Sequence, residues 1–294
     1  MRAKGMKGRP MRRVICALTV LAFASPAFAA DLDLDILRGS QPVGPATFTR
    51  WSGFYFGGQI GYGDANADFS GATQPLVHYS LRELTLENQD SVSTWPVLGR
   101  GGSDAVGYGG FVGYNTQWQD LVLGFEGNYT HTAFTTSAGS APLAGGNGRI
   151  VSAGGSAYSV NLTGTGQLAI TDYASLRARG GWALGNFLPY GFAGLAIGRG
   201  NYSVTTEVYG QQNSASPAYF PCSPAAPTCV GYDFSNSAAQ NGALLYGFSV
   251  GGGLDWAITR NIFLRGEFEY VQFAPIANIV ASIVSGRVGA GFKF

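Results

Sequence analysis

The sequence predicts an all-β fold: one eight-stranded antiparallel up-and-down barrel that crosses a membrane, with short turns at one end and long loops at the other. Three observations carry this reading. Apolar residues recur at every second position in eight blocks, connections alternate strictly between long and short, and the composition is poor in charge and rich in glycine. Of 294 residues 46% are hydrophobic and only 12% charged, with 45 glycines, whereas a globular protein carries about a quarter charged residues and about 7% glycine. So few ionic side chains cannot keep a whole surface wet, and part of it must face something other than water.

The chain opens with Arg2, Lys4, Lys7, Arg9, Arg12 and Arg13 and no acid, followed by an apolar run at 14–24 and then Ala27-Phe28-Ala29. A basic start, a short apolar run and a small-x-small site predict a secretory signal peptide over 1–30. The run falls well short of the roughly 20 residues of a spanning helix, and no later run reaches that length uninterrupted, which excludes a helical membrane protein. Removing the signal leaves twelve basic residues against seventeen acidic ones, a charge of −5, the wrong sign for a nucleic-acid partner. Residues 31–50, where Asp31, Asp33 and Asp35 alternate with leucines before Gly and Pro, read as a flexible periplasmic lead, and 51–294 as the barrel. Export places the remaining Cys222 and Cys229 in an oxidising compartment. Their short Pro- and Ala-rich spacer suits a disulfide, while two cysteines without nearby histidine make a poor zinc site.

The blocks lie at about 51–64, 105–117, 121–134, 168–184, 187–208, 242–258, 261–274 and 282–294. Most reach the roughly 9 to 11 residues that a tilted strand needs to cross a bilayer. In the clearest, Leu244, Tyr246, Phe248, Val250, Leu254, Trp256 and Ile258 share one face. The connections run long, short, long, short, long, short and then seven residues, the pattern of an outer-membrane barrel with tight periplasmic turns and longer outer loops. Closure removes the unpaired sheet edge that hydrocarbon does not tolerate. Under this orientation Trp51, Trp118, Trp182 and Trp256 fall at the periplasmic rim, where an aromatic girdle belongs. The last strand alternates outward through Phe292 and stops on Phe294.

The same register turns Glu126, Arg177, Arg179, Asp255, Arg265, Glu267, Glu269 and Arg287 inward, four of each sign. An Arg on the lipid face near midplane would cost about 2 to 4 kcal/mol, so energy specifies the register. Eight strands enclose a lumen just wide enough for side chains to fill, which predicts a lumen plugged by a paired charge network; a selectivity constriction is the functional alternative. The GxG pairs precede no helix-like segment and are not a phosphate loop; inward glycines make room in a small barrel.

For catalysis near neutral pH the chain offers two histidines, His78 and His131. No motif sets a nucleophile beside His131, near the outer end of strand three, so the reading is a non-enzyme with no cofactor. His78 stands next to Tyr79, a pair of residue types that can ligate haem iron, and leaves small-ligand capture as an alternative. The charged stretch 80–90 has the composition of a short helix or a strand extension.

WSGFYFGGQIGYG at 51–63, YGGFVGYNTQWQDLVLGFEGNY at 108–129, SLRARGGWALGNFLPYGFAGLAIG at 175–198 and the closing GRVGAGFKF resemble the alphaproteobacterial outer-membrane immunogenic proteins. These are porin-family small barrels akin to the OmpA and OmpX type of transmembrane domain. The resemblance implies the outer membrane of a Gram-negative bacterium, surface antigenicity or envelope integrity as a role, haem binding in some members, and recognition of the terminal Phe292 and Phe294 by the barrel-assembly machinery. Expected partners are outer-membrane lipid and lipopolysaccharide, that machinery, and a host or environmental ligand at loops 65–104, 135–167 and 209–241. A narrow channel, a ligand binder and a lipid-modifying enzyme acting through His131 are the alternatives.

Overall fold

The computed structural model describes residues 49–140, 149–213 and 229–294. The expected signal peptide and nearly all of the lead lie outside these residues, as does Cys222, the expected partner of Cys229. Nine strands are present among them: β1 (Gly53–Asp68), β2 (Arg100–Trp118), β3 (Leu121–Gly139), β4 (Arg149–Ala153), β5 (Ser156–Trp182), β6 (Phe187–Asn213), β7 (Cys229–Ala257), β8 (Ile262–Phe273) and β9 (Val280–Lys293). All neighbours pair antiparallel, and pairing of β3 with β5 closes eight strands into a ring. The expected eight-stranded closure therefore holds, and β4 is an addition outside the ring. It pairs with β5 alone through a two-residue Gly154-Gly155 turn, where φ is +57° and +80°, the positive pair that a tight hairpin demands and glycine accepts without strain.

The outward face of each ring strand is apolar over roughly the length of a bilayer crossing. Phe54, Phe56, Ile60 and Tyr62 on β1, Leu123 and Phe125 on β3, Leu195 and Ile197 on β6, and Tyr246, Phe248, Val250 and Leu254 on β7 are all exposed, as the alternation requires. Trp118, Trp182 and Trp256, 58%, 53% and 46% exposed, ring the end with short turns. Trp51 does not join them: at 2% exposure it lies inside that end, edge-on to Phe263 with ring centroids 6.3 Å apart. It precedes β1, its backbone N–H donates to Gln117 Oε1 at 2.7 Å, and period-two alternation does not govern a residue that has not entered the sheet.

The described residues of the expected loops 135–167 and 209–241 are largely strand. β5, β6 and β7 run for 27, 27 and 29 residues, far beyond the roughly 9 to 11 of a crossing. Past the apolar belt the alternation reverses its chemistry. On β5 the outward residues become Ser159, Asn161, Thr163, Thr165 and Gln167, while Val160, Leu162, Leu168 and Ile170 are buried. Register shifts between His131 and Phe134, Ile170 and Asp172, and Gly200 and Tyr202 sit at this change, where bulges re-aim side chains. The strands leave hydrocarbon there and continue as an ordinary water-facing sheet.

The expected loop 65–104 also has structure. It folds into α1 (Gln74–Leu81), α2 (Thr85–Asp90) and a 3₁₀ turn at Val92–Thr94, partly meeting the helical expectation for 80–90. Val77, Leu81, Leu86, Val92, Trp95 and Val97 from this segment pack with Val160, Leu162, Val204 and Val208 of the extended wall in one buried apolar cluster.

A paired substitution tests the change of solvent along one strand. Leu195→Arg should destabilise the barrel by about 2–4 kcal/mol, while Thr205→Arg, outward on the same strand beyond the belt, should change it by no more than about 0.5 kcal/mol, read from urea unfolding in lipid vesicles.

Candidate functional site

The lumen between the short-turn end and the outer apolar cluster is the most chemically distinctive part of the molecule. The inward charges come from β3, β5, β7, β8 and β9, with Glu126 and Arg177, Asp255 and Arg265, and Glu267 and Arg287 directly opposite each other on neighbouring strands, and the ring brings all eight expected residues together. Arg177 donates to Glu267 through Nη1 and Nη2 at 2.8 Å each and to Glu126 through Nε at 3.0 Å and Nη2. Arg265 bridges Asp255, with Nε at 2.8 Å, and Glu126, with Nη1 at 2.8 Å. Arg179 reaches Asp255 at 2.7 Å and Glu126 at 3.3 Å. Arg287 binds Glu267 at 2.5 Å and lies 2.7 Å from Glu269, which has no well-angled hydrogen bond. All eight side chains are buried.

Four guanidiniums and four carboxylates cancel. Isolated ions would be costly in such a place, because desolvation outweighs attraction unless geometry and hydrogen bonds are good; here the bonds are charge-assisted and several are forked. The alternation read in the sequence could not disclose the neutral members. Tyr55 donates to Glu126 at 2.7 Å, Tyr190 to Glu267 at 2.8 Å, and Gln59 to Asn128 at 2.9 Å. Aromatic faces cover the cations: Arg177 lies 4.0 Å over Phe192, Arg179 3.8 Å over Tyr190 and Arg265 4.0 Å over Phe111, each arrangement adding cation–π attraction. Their signal was present as inward aromatics beside inward glycines. A Cβ at Gly113 would overlap Tyr55, and one at Gly291 would overlap Phe263.

Below the network Trp51, Tyr55, Phe111, Val122, Leu188, Ala257 and Phe263 form a second buried apolar cluster. Above it lies the outer cluster with α1 and α2. The helical segment is fastened by Glu87, whose carboxylate accepts from Ser93 Oγ at 2.5 Å and Ser93 N at 3.0 Å and stands 3.1 Å from His78 Nδ1. Burial pushes this carboxyl up, but the two Ser93 bonds and the His78 ring outweigh it and hold it below the usual Glu range.

His131 points outward, its Nδ1 2.7 Å from Asp172 Oδ1 and its ring 5.2 Å from that of Tyr108. Tyr129 donates to the same carboxylate at 2.6 Å. His78 and Tyr79 stand on the exposed side of α1. Phe292 and Phe294 face outward at the short-turn end, their rings 5.2 Å apart.

No family model matches the chain. It is 27% identical over 305 residues to the 31 kDa outer-membrane immunogenic protein of Brucella melitensis, covering 97% of this chain and 100% of that protein. The 25 kDa outer-membrane immunogenic protein of Brucella ovis is 25% identical over 283 residues, 96% of each chain. Among solved structures it is similar to Neisserial surface protein A (15% identity, 83% of this chain, 98% of that one, TM-score 0.34) and to Ail, the attachment invasion locus protein of Yersinia pestis (12%, 83%, 99%, TM-score 0.31). The chain is an outer-membrane β-barrel of a Gram-negative bacterium with homologues among the outer-membrane immunogenic proteins.

Two outcomes follow from this chemistry. Glu267→Gln leaves Arg177 and Arg287 without a full counter-charge and should cost about 3–5 kcal/mol in urea unfolding from vesicles. Because folding lowers the Glu87 pKa, its contribution is complete above the unfolded value of about 4.3 and fades as pH falls through the folded one. Hydrogen-exchange protection of residues 85–95 should hold down to about pH 5 and drop as pH falls below about 4, and Glu87→Gln should be less protected and lose that pH dependence.

Proposed function

We propose that the protein is a structural, surface-displayed barrel whose lumen is closed and whose role is exerted by the part that rises beyond the outer leaflet. The observation that carries this reading is the stacking of three buried layers across the lumen: the aromatic layer around Trp51 and Phe263, the neutralised network around Glu126 and Arg177, and the apolar cluster under α1 and α2. A conducting pore needs charges that meet water and passing ions; these side chains meet one another.

The long β5–β6–β7 wall supports a surface role. Its water-facing side is mostly Ser, Thr, Asn and Gln, with Glu207, Tyr209 and Asp233 among them, on a rigid sheet, a surface of the kind that antibodies and adhesive partners read. The word immunogenic in the names of the Brucella relatives agrees with it. Orientation follows from the barrel's asymmetry, with short turns periplasmic and the wall outside. The outward Phe292 and Phe294 at the short-turn end fit a signal for the assembly machinery.

A lipid-modifying enzyme is less well supported. Acyl transfer needs a nucleophile in reach of its base, and among the described residues the hydrogen-bond partner of the His131 ring is Asp172. Capture of haem through His78 is likewise weaker, since that ring is tied to Glu87.

Single-channel recording on purified protein in planar bilayers tests the closed lumen. The expected record is flat, without stable salt-dependent steps, and it should gain conductance when residues 72–97 are replaced by a short Gly-Ser linker and Arg177 and Glu267 are both changed to Ala. Steady steps from the unaltered protein would contradict the reading.

A further inference from the structure

The hydrocarbon-facing side of the barrel carries a furrow that ends in polar groups. One lateral row of outward positions runs Gly58, Gly110, Tyr129, Ala174, Ile197 and Tyr246, each the cross-strand partner of the next. In the row below, Gly127 lies between Val112 and Leu176. Missing side chains at Gly110 and Gly127 and the single methyl of Ala174 leave an apolar furrow of about 690 Å³, walled by Phe56, Val112, Leu176, Leu195 and Ile197. That volume matches a small-ligand site.

One pleat further out, the next row reads Ile60, Tyr108, His131, Asp172, Arg199 and Leu244. Three ionisable groups thus stand directly at the head of the furrow, on a face that is apolar below them. Their positions are built. Asp172 accepts from Tyr129 and holds His131 by Nδ1, which turns Nε2 away from the carboxylate. Arg199 is the cross-strand neighbour of Asp172, yet its guanidinium has no hydrogen bond or ion pair among the described residues. Gly242, with φ +66°, lies beside it across the strand pair, where a Cβ would stand 3.5 Å from the guanidinium, in ordinary contact. Asp172 spends Oδ1 on Tyr129 and His131 and makes no ion pair with Arg199, so the cationic group is left for a ligand.

An apolar furrow leading to an unpaired guanidinium and an imidazole has the same order of parts as an amphiphile: acyl chain, then anionic head. We propose that this face holds one phosphorylated glycolipid of the outer leaflet, with an acyl chain along the furrow and a phosphate on Arg199 and His131 Nε2. Guanidinium suits phosphate through paired N–H donors, and the hydroxyls of Tyr108 and Tyr129 border the sugar that joins chain to phosphate. The leaflet at the long-loop end decides the source, because there the phosphorylated saccharolipid replaces glycerophospholipid. This inference rests on the outer-membrane reading above and adds an address to it.

The test is native mass spectrometry of the full barrel extracted from outer membranes in mild detergent, with bound lipid A phosphate counted per chain. Wild type should keep one glycolipid through washing, and Arg199→Gln and Ala174→Trp should each lower retention roughly tenfold, while Thr205→Ala leaves it unchanged. Heat-modifiable migration in gels shows that each variant is folded. Equal retention in all four proteins, no retained glycolipid, or equal loading by glycerophospholipid from a mixed supply would overturn the site and leave the barrel reading intact. Failure of wild type to fractionate with the outer membrane would overturn the reading on which the site rests.

Discussion

The constraint on which the rest depends is that hydrocarbon will not accept a charge on the outward face of the crossing strands. Every ionic side chain in that half of the barrel must therefore point into the lumen, and a lumen of eight strands is too narrow to hydrate eight of them. They must neutralise each other. Arg177 and Glu126, or Arg265 and Asp255, are consequences of the solvent outside as much as of the contacts inside. The surrounding aromatics and inward glycines follow in turn, since a ring over a guanidinium needs a partner strand without a side chain at that point. Replacing such a network by apolar residues can be neutral for stability in a soluble core; here it also sets which face of each strand meets lipid.

The second consequence is a reversal of polarity along single strands. Below the bulges β5 is apolar outside and charged inside; above them it is polar outside and apolar inside, with Leu162 and Leu168 buried against the helical segment. One continuous ladder of hydrogen bonds thus serves two solvents. The wall that leaves the membrane is as regular as the part within it, so whatever surface it presents is held in place by the barrel. That rigidity suits recognition by large partners better than capture of a small one, and it separates the exposed region from the lumenal chemistry.

Much of this was legible in the sequence because two solvents leave two patterns. The outward apolar positions of β7, the short turns and all eight lumenal charges follow from period two alone. The extensions of β5, β6 and β7 were obscured because a water-facing strand built from Ser, Thr, Asn and Gly has the composition of a loop; the alternation in VNLTGTGQLAI is present but its outward residues are small and polar. Trp51 was misplaced at the rim because it lies before the strand register begins. The neutral partners Tyr55, Tyr190 and Gln59 carry no charge to mark them, and only closure of the ring sets them beside Glu126, Glu267 and Asn128. The packing of α1 and α2 depends on residues more than sixty positions away, which no local pattern reports.

The most direct measurement is a nitroxide scan of outward positions along β6, from Ala193 to Gln211, in reconstituted bilayers. Relaxation by oxygen should dominate at Ala193, Leu195 and Ile197, fall at Arg199, and give way to a water-soluble nickel complex at Ser203, Thr205 and Gln211. Nickel access at Leu195, or oxygen access that continues unchanged through Gln211, would contradict the account.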